Sequence, residues 1–240
     1  MTNYNFIEKA HSTNSFVKEK IAELPDWYII RAGEQTGGRG RFERVWHCEK
    51  NKDIAMSILI PTDENILPFL PNLTQIIGVS VAQVLDNFVK TKIKWANDIL
   101  VNGRKICGIL TEAITFGDNV KVVAGIGLNV NSERKKQSDI LAVSLFDETK
   151  RIFDLDVLAK EIAQNIFKNI QILRQKGIVE FIEKLNEKLA FKNEPKTIID
   201  GERKICGTVI GIGEKGELLF ETSKGLLKII SGEISFEKVK

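Results

Sequence analysis

Apolar residues in the first third of the chain follow two different periods, which predict strands and helices in alternation. Residues 27–32 and 54–60 are continuous runs rich in β-branched and aromatic side chains, a composition typical of strands. Between residues 12 and 25, apolar positions recur at helical spacing behind good N-cap residues and stop at a proline, which predicts a short helix. A longer helical stripe over 73–88 predicts a second helix packed on the sheet.

The segment from residue 92 to residue 130 predicts adjacent antiparallel strands. Its extended runs are separated by short turns, of which Asn102-Gly103 is a strong hairpin signal and 117–119 is a second turn. The runs themselves are 92–95, 99–101, 105–113 and 121–130. Such short connections predict a mostly antiparallel sheet.

The pattern of polar and apolar residues changes twice in the second half of the chain. Residues 131–139 are polar without periodicity and predict a surface loop. Two helices are predicted next, one from Asp154 to Gly177 and one through Leu189. After Asn193, short strands separated by glycine turns are predicted at 197–200, 204–212, 217–221, 226–230 and 233–237.

These elements together predict an α+β fold with two domains. Residues 1–190 would form a mixed, mostly antiparallel sheet packed with helices. The short strands would form a small SH3-like β-barrel over 191–240, which is too short to be more than marginally stable alone. We therefore expect the barrel to dock on the larger domain.

Composition narrows the function classes. The chain has 240 residues, 43% of them hydrophobic, which is sufficient for a sizeable core. Its 35 lysines and arginines against 32 acidic residues give a net charge of only +3, too small for a protein that coats nucleic acid or an anionic membrane. Any anion binding is therefore expected to be local.

The cysteines and the N-terminus indicate a cytoplasmic protein. Cys48, Cys107 and Cys206 form no CxxC pair, so that reduced, buried thiols are expected rather than disulfides or a zinc site. The first residues lack the basic start and apolar run of a signal peptide. No apolar stretch approaches the roughly 20 residues of a membrane span.

One segment between two predicted strands has the chemistry of an anion clamp. The sequence GEQTGGRGRFERVW at 33–46 interleaves three glycines with three arginines, namely Gly37, Gly38, Gly40, Arg39, Arg41 and Arg44. Glycines let backbone N–H groups approach an anion, and arginines offer planar forks to phosphate or carboxylate. A hairpin tip with solvated charges is the equally weighted alternative. The segment matches neither the P-loop nor the dinucleotide-binding glycine pattern.

A second candidate cluster lies in KWANDILVNGRKICGIL at 94–110. One predicted hairpin gathers the amide of Asn97, the carboxylate of Asp98 and the ammonium of Lys105. Each residue alone is as well explained by a turn or a solvated charge. Glycines that interrupt good strands, here Gly108, Gly125 and Gly127, indicate close approach by a ligand or a backbone, with a β-bulge as the alternative. Ser12, Thr13 and Asn14 are explained locally as helix caps.

Taken together, these motifs resemble the bacterial biotin protein ligases, also called biotin–acetyl-CoA-carboxylase ligases. That family's signatures are STN, Q-x-x-G-R-G-R-x-x-R-x-W, K-W-P-N-D, R/K-K-x-x-G-I-L, G-I-G-x-N-V and G-E-I-S. This chain shows, in the same order, STN from Ser12, QTGGRGRFERVW from Gln35, KWANDI from Lys94, RKICGIL from Arg104, GIGLNV from Gly125 and GEISF from Gly232. Two positions depart from the pattern: Glu43 replaces a glycine, which adds a charge to the clamp, and Ala96 replaces a proline.

The resemblance implies that biotin is activated with MgATP to biotinyl-5′-adenylate and passed to a lysine of a biotin carboxyl carrier protein. It implies catalytic roles for Lys105, Arg39 and Asp98. The implied biotin contacts are Ser12, Thr13, Asn14, Gln35, Arg39, Gly40, Arg41 and Lys105. The implied ATP or adenylate contacts are Gly38, Arg39, Arg41, Trp46, Lys94, Asn97, Gly127 and Asn129. No residue is assigned to Mg²⁺, which would be bound through the ATP phosphates.

Alternatives remain at this point. A lipoate–protein ligase shares the family's fold and acyl-adenylate chemistry, and a non-enzymatic nucleic-acid module would combine the arginine segment with a small barrel. Some family members repress transcription through an N-terminal winged-helix segment. Only eleven residues precede Ser12 here, so we expect a ligase without DNA binding, as a monomer or homodimer.

Overall fold

The computed structural model describes residues 3–117, 119–134, 142–200 and 203–235. These residues form a seven-stranded sheet covered by helices and a second sheet of five strands. The predicted α+β class, with a mostly antiparallel sheet and a small C-terminal β domain, is confirmed.

The large sheet has the strand order β1-β2-β3-β7-β6-β5-β4. Its strands are β1 Tyr4–Ala10, β2 Ile29–Gln35, β3 Ile54–Pro61, β4 Lys92–Lys94, β5 Asp98–Val101, β6 Arg104–Phe116 and β7 Asn119–Leu128. All neighbours are antiparallel except β1 and β2. The edge strand β1 was not predicted, whereas the hairpin at Asn102-Gly103 is confirmed, because φ is 50° and 75° at these two residues.

The residues that the structure describes contain five α-helices. They are α1 Thr13–Glu19, α2 Leu73–Leu85, α3 Leu145–Thr149, α4 Leu155–Lys176 and α5 Val179–Lys188. The first helix is shorter than the apolar spacing up to Leu24 suggested, because the chain turns from Lys20 onward. The one-turn α3 was not predicted, and α4 ends at Gly177 with φ 76°, as predicted.

The two faces of the sheet have different partners. Val17 and Ile21, in and just after α1, pack on Ile30, Leu59 and Val123. The main core lies on the other face, where α2 and α4 cover alternate residues of the same strands. Thus one face of the sheet carries a single short helix over part of its area, and the rest of that face is available for a site.

The second sheet has the order β11-β10-β9-β8-β12 and is antiparallel throughout. Its strands are β8 Pro195–Asp200, β9 Arg203–Ile212, β10 Leu218–Thr222, β11 Gly225–Ile229 and β12 Glu233–Ile234. It docks on the start of α2, where Asn72 Nδ2 donates to Lys215 O at 2.9 Å and Gln75 Nε2 donates to Gly216 O at 2.8 Å. The division into domains at residue 190 stays a prediction.

Some expectations need adjustment. Residues 67–85 do meet the length and composition of a membrane span. However, 61% of the most apolar part of this segment is buried inside the protein, as in a core helix. Cys107 is buried and Cys48 is partly buried, whereas Cys206 is exposed, so the expectation of buried thiols is wrong there. Parts of the predicted loop at 131–139, of the turn at 117–119 and of the last strand lie outside the described residues.

Candidate active site

A cavity of about 460 Å³ lies on the face of the large sheet that carries α1. It is enclosed by the N-terminus of α1, by residues 36–46, which we call the clamp segment, and by β12 of the second sheet. Twelve of the fifteen site residues that the resemblance implies line it: Ser12, Thr13, Asn14, Gln35, Arg39, Gly40, Arg41, Trp46, Asn97, Asp98, Lys105 and Gly127. The motifs are therefore brought together in one site.

Sheet register explains the floor of the cavity. Gly127 lies opposite Gly108 on β6 and Ala55 on β3, and one row further along β7, Gly125 lies opposite Leu110 and Ser57. A Cβ at Gly127 would overlap the indole of Trp46, and a Cβ at Gly125 would overlap the amide of Asn14. These glycines thus make room for side chains that line the cavity. The sequence had indicated close approach by a ligand or a backbone, not by a side chain.

A chain of polar side chains lies at the N-terminus of α1. Thr13 N donates to Gln35 Oε1 at 2.9 Å, and Ser57 Oγ lies 2.7 Å from Thr13 Oγ1 and 2.6 Å from Asn14 Oδ1. Asn14 Nδ2 donates to Glu112 Oε2 at 2.8 Å. Ser12 remains the N-cap of the helix.

Charged groups gather at the hairpin of β5 and β6. The ammonium of Lys105 lies 2.7 Å from Asp98 Oδ1 and 5.3 Å from the centre of the Trp46 ring. The same carboxylate lies 3.4 Å from Lys94, which is only 1% exposed and is also 3.1 Å from Glu233 of β12. Two lysines therefore bracket Asp98, and one of them faces the cavity.

The clamp segment is a hairpin fastened to the second sheet. Trp46 N donates to Gly38 O at 2.9 Å, and Gly40 N donates to Arg44 O at 2.7 Å. Arg41 donates to Asn97 Oδ1 at 3.2 Å and to Gly232 O at 3.0 Å. Arg44 pairs with Glu233 at 2.7 Å. These arginines are engaged with the site and with β12, which argues against a freely solvated tip.

Electrostatics favours an ionised Glu233. Burial by itself raises the pKa of this carboxyl, but the hydrogen bond from Arg44 and the charge of Lys94 outweigh burial and bring the pKa below its ordinary value of 4.5. The C-terminal sheet thus contributes a fixed negative charge next to the cationic clamp.

Three predicted site residues do not line the cavity. Lys94 is buried behind Asp98, and Gly38 lies where a Cβ would overlap the Gln35 amide. Asn129 is 3% exposed, donates to Val143 O at 3.0 Å and accepts from Arg134 at 2.7 Å. Direct contacts of these three with a ligand are therefore not supported by the geometry.

Several side chains at the site were not singled out from the sequence. Ser57 is the single polar residue in the apolar run 54–60, which is the available signal, whereas Glu112 follows Thr111 near the end of the predicted strand 105–113 and carries no such signal. Glu233 was part of the GEIS motif without a role. Within the described residues, no group of three or more His, Cys, Asp or Glu side chains is placed to hold a metal ion.

Comparison with known proteins identifies the family. Residues 6–131 match the biotin/lipoate A/B protein ligase family. The chain belongs to this family. Residues 193–237 in addition match the biotin protein ligase C-terminal domain, which contains the five strands of the second sheet.

Individual members of the family are similar over most of this chain. The bifunctional ligase/repressor BirA of Bacillus subtilis (strain 168) is 34% identical over 219 residues, which are 88% of this chain and 66% of that protein. The biotin–[acetyl-CoA-carboxylase] ligase of Mycobacterium tuberculosis is 24% identical over 95% of this chain and 86% of its own. The chain thus spans slightly less than two thirds of the Bacillus protein.

A solved structure of a family member is similar throughout. The biotin protein ligase from Aquifex aeolicus in complex with biotin and ATP matches with a TM-score of 0.86 and 29% identity, over 98% of both chains. Both sheets of this chain therefore have counterparts in the Aquifex enzyme.

Proposed function

We propose that this protein is a biotin protein ligase. It activates biotin with MgATP to biotinyl-5′-adenylate, releases pyrophosphate, and transfers the biotinyl group to a lysine of the biotin carboxyl carrier protein of acetyl-CoA carboxylase. The observation that carries this proposal is one cavity that holds both the hydroxyl and amide cluster of α1 and the ammonium of Lys105.

The cluster at α1 suits the ring end of biotin. A cyclic urea carries two N–H donors and one carbonyl acceptor, and Thr13, Asn14 and Gln35 line the cavity with groups of both kinds. Ser12 and the backbone at Gly40 complete that side. An apolar cavity with a few placed polar groups is the usual design of a small-molecule site.

The cationic residues suit the activation step. A carboxylate oxygen of biotin attacks the α-phosphorus of ATP, the bond to the β-phosphate oxygen breaks, and pyrophosphate leaves with the bonding electrons. Two anions must approach each other, so that fixed positive charge lowers the barrier. We assign this role to Lys105, with Arg39 and Arg41 from the clamp segment. Trp46, whose ring centre lies 5.3 Å from the ammonium of Lys105, and Gly127, which lies against that ring, are assigned to the nucleotide.

Transfer requires an unprotonated acceptor lysine beside the adenylate. Asp98 lies at the cavity, and we propose that it orients the incoming lysine and acts as its base, while Asn97 holds Arg41 in place through the 3.2 Å bond. The amine nitrogen attacks the carbonyl carbon of the mixed anhydride, the bond from that carbon to the phosphate oxygen breaks, AMP leaves with the bonding electrons, and Asp98 takes the proton that the nitrogen loses as the amide forms. No described residue is assigned to Mg²⁺, which would be bound through the ATP phosphates and would lessen their negative charge.

Clamp closure protects the intermediate. A mixed anhydride is hydrolysed by water, and a segment fastened over the cavity by Arg41 and Arg44 excludes solvent. We further propose residues 1–190 as the catalytic domain, residues 191–240 as the domain that fastens the clamp, and a cytoplasmic location.

The test is a reaction followed by mass spectrometry. Purified protein is mixed with MgATP, a carrier-protein fragment, and either biotin or lipoate, and both the acceptor mass and pyrophosphate are measured. The proposal expects biotin addition to one lysine and no lipoate addition. Lipoate addition alone would establish the lipoate ligase instead, and tight, salt-dependent binding of nucleic acid without either reaction would favour the binding module.

A further inference from the structure

We propose that Glu112 is a positioning residue for biotin, which fixes the amide of Asn14 so that its carbonyl oxygen, and not its NH₂ group, faces the ligand. The inference rests on the proposed function, because it names the ligand whose N–H group that oxygen accepts. Glu112 does not line the cavity, whereas Asn14 does. Its effect on the ligand is therefore exerted through Asn14.

Each oxygen of Glu112 has its own donor. Oε1 lies 2.7 Å from the ammonium of Lys18, and Oε2 accepts from Asn14 Nδ2 at 2.8 Å. Asn14 Nδ2 also donates to Leu110 O at 3.3 Å. A carboxylate and a backbone carbonyl only accept hydrogen bonds, so that only the NH₂ group of Asn14 satisfies both.

The ionised form of Glu112 is the favoured one. Burial by itself raises the pKa of this carboxyl, but the hydrogen bonds from Lys18 and Asn14 outweigh burial, and the pKa lies below its ordinary value of 4.5. At neutral pH, Glu112 is thus an acceptor on both oxygens.

The other end of the Asn14 amide faces the cavity floor. Its Oδ1 lies 2.6 Å from the hydroxyl of Ser57, which is 0% exposed, and a Cβ at Gly125 would overlap this oxygen. Gly125 itself lines the cavity. Since a carbonyl oxygen accepts two hydrogen bonds, Ser57 leaves one acceptor position for a ligand.

This orientation selects for the chemistry of a urea ring. Biotin presents N–H donors at its ring end, whereas the dithiolane ring of lipoate presents none. If the Asn14 amide turned over, its NH₂ group would meet the N–H of biotin, and both donors would be left unpaired in a buried place. Glu112 is therefore assigned to ligand specificity as well as to affinity.

Two substitutions separate this role from simple loss of an ion pair. In Glu112→Gln, one oxygen remains for two donors, and the charged Lys18 forms the stronger bond. Asn14 then faces an NH₂ group, and its remaining bond to Leu110 O, at 3.3 Å, is too weak to keep the amide from turning over. Lys18→Met leaves the bond from Asn14 to Glu112 intact. In the double variant, the single oxygen of the glutamine is free for Asn14 again.

Biotin binding by the full chain, measured by titration calorimetry, tests the proposal on the wild type and these three variants. We expect Glu112→Gln to weaken binding by about tenfold or more. Lys18→Met should stay within about twofold of the wild type, and the double variant within about threefold. Urea unfolding of each variant shows whether it is folded.

Recovery of biotin binding in the double variant distinguishes a positioning role of Glu112 from a role only as the ion-pair partner of Lys18. The proposal is overturned if Glu112→Gln binds biotin as the wild type does, or if the double variant binds no better than Glu112→Gln. If Glu112→Gln does not fold, a double variant that binds more than about tenfold more weakly than Lys18→Met overturns it. A folded wild type that fails to bind biotin contradicts the proposed function itself, which is a separate outcome.

Discussion

At the scale of single residues, the pairing of Lys105 with Asp98 fixes a positive charge at the candidate site. Lys105 is 20% exposed and lies 2.7 Å from Asp98, so that its ammonium is held at the cavity by a carboxylate rather than left free in solvent. A positive charge fixed before the reaction stabilises a transition state without reorganisation of the site.

Removal of that charge should stop the first step. We expect Lys105→Ala to slow biotin-dependent release of pyrophosphate by about 10²–10³-fold, the range found when one preorganised electrostatic group is lost. Lys121→Ala is the matched control, since Lys121 lies on β7 and pairs with Asp26 at 3.7 Å, away from the cavity lining. Equal rates for the two variants would contradict the role of Lys105.

Arg39 shares the positive charge of the activation step with Lys105 and Arg41, so that its loss should affect retention of the intermediate more than its formation. Its guanidinium lies at the cavity and contacts Ser15 Oγ at 3.4 Å, so that it fastens the clamp segment to α1. We expect Arg39→Ala to retain turnover but to release biotinyl-adenylate, which then labels bystander proteins. Blotting of added albumin with streptavidin measures this release. An Arg39→Ala protein that labels no more albumin than the wild type would refute the assignment.

Residue chemistry was the part of the site that the sequence predicted best. The motifs included Lys105, Asp98, Asn14 and the clamp arginines, all of which the structure places at one cavity, because each motif joins polar residues to a glycine, a turn or a helix cap. Ser57 and Glu112 could not be found in this way. Glu112 meets Asn14 across 98 positions of sequence, so that no local motif contains both residues.

At the scale of elements, the clamp segment depends on β12. Arg41 bonds Gly232 O, and Arg44 bonds Glu233, so that a strand near the C-terminus fixes a hairpin near residue 40. The sequence predicted the strands and the small β domain but not this contact, because periodicity specifies elements and not their partners. The strand β1 was missed for a different reason, because its half-exposed pattern offers no clear alternation.

Loss of the Glu233 charge should weaken the contact between the clamp segment and β12 and lower the stability of the protein. In Glu233→Gln, Lys94 loses one of its two carboxylate partners while it remains buried, and Arg44 loses its ion pair. We expect the free energy of unfolding to fall by about 1.5–3 kcal/mol, as measured by urea denaturation. Glu221→Gln, at an exposed position of β10 in the same sheet, is the control and should change stability by less than about 0.5 kcal/mol. A Glu233 variant as stable as this control would contradict the account.

At the scale of the whole molecule, stability should depend on pH through the same carboxylates. The pKa values of Glu112 and Glu233 both lie below their ordinary value of 4.5 in the folded protein. Such groups stabilise the folded state above that value, and the contribution is lost as pH falls through the folded-state pKa. We expect a constant free energy of unfolding from pH 7 to about pH 5 and a decline below it.

Urea denaturation at several pH values measures this dependence. The double variant Glu112→Gln/Glu233→Gln should show a shallower decline below pH 5 than the wild type, because two of the linked protons are removed. A decline of the same steepness in both proteins would show that other groups cause the acid sensitivity.

The central claim is that the clamp segment and the β5–β6 hairpin converge on one acyl-adenylate. A crystal structure of the protein with biotinyl-5′-adenylate tests it most directly. The account predicts the urea ring beside Asn14 and Gln35, the acyl-phosphate group within hydrogen-bonding distance of Lys105, and Arg39 closed over it. An adenylate bound elsewhere, with neither Lys105 nor Arg39 in contact, would contradict the account.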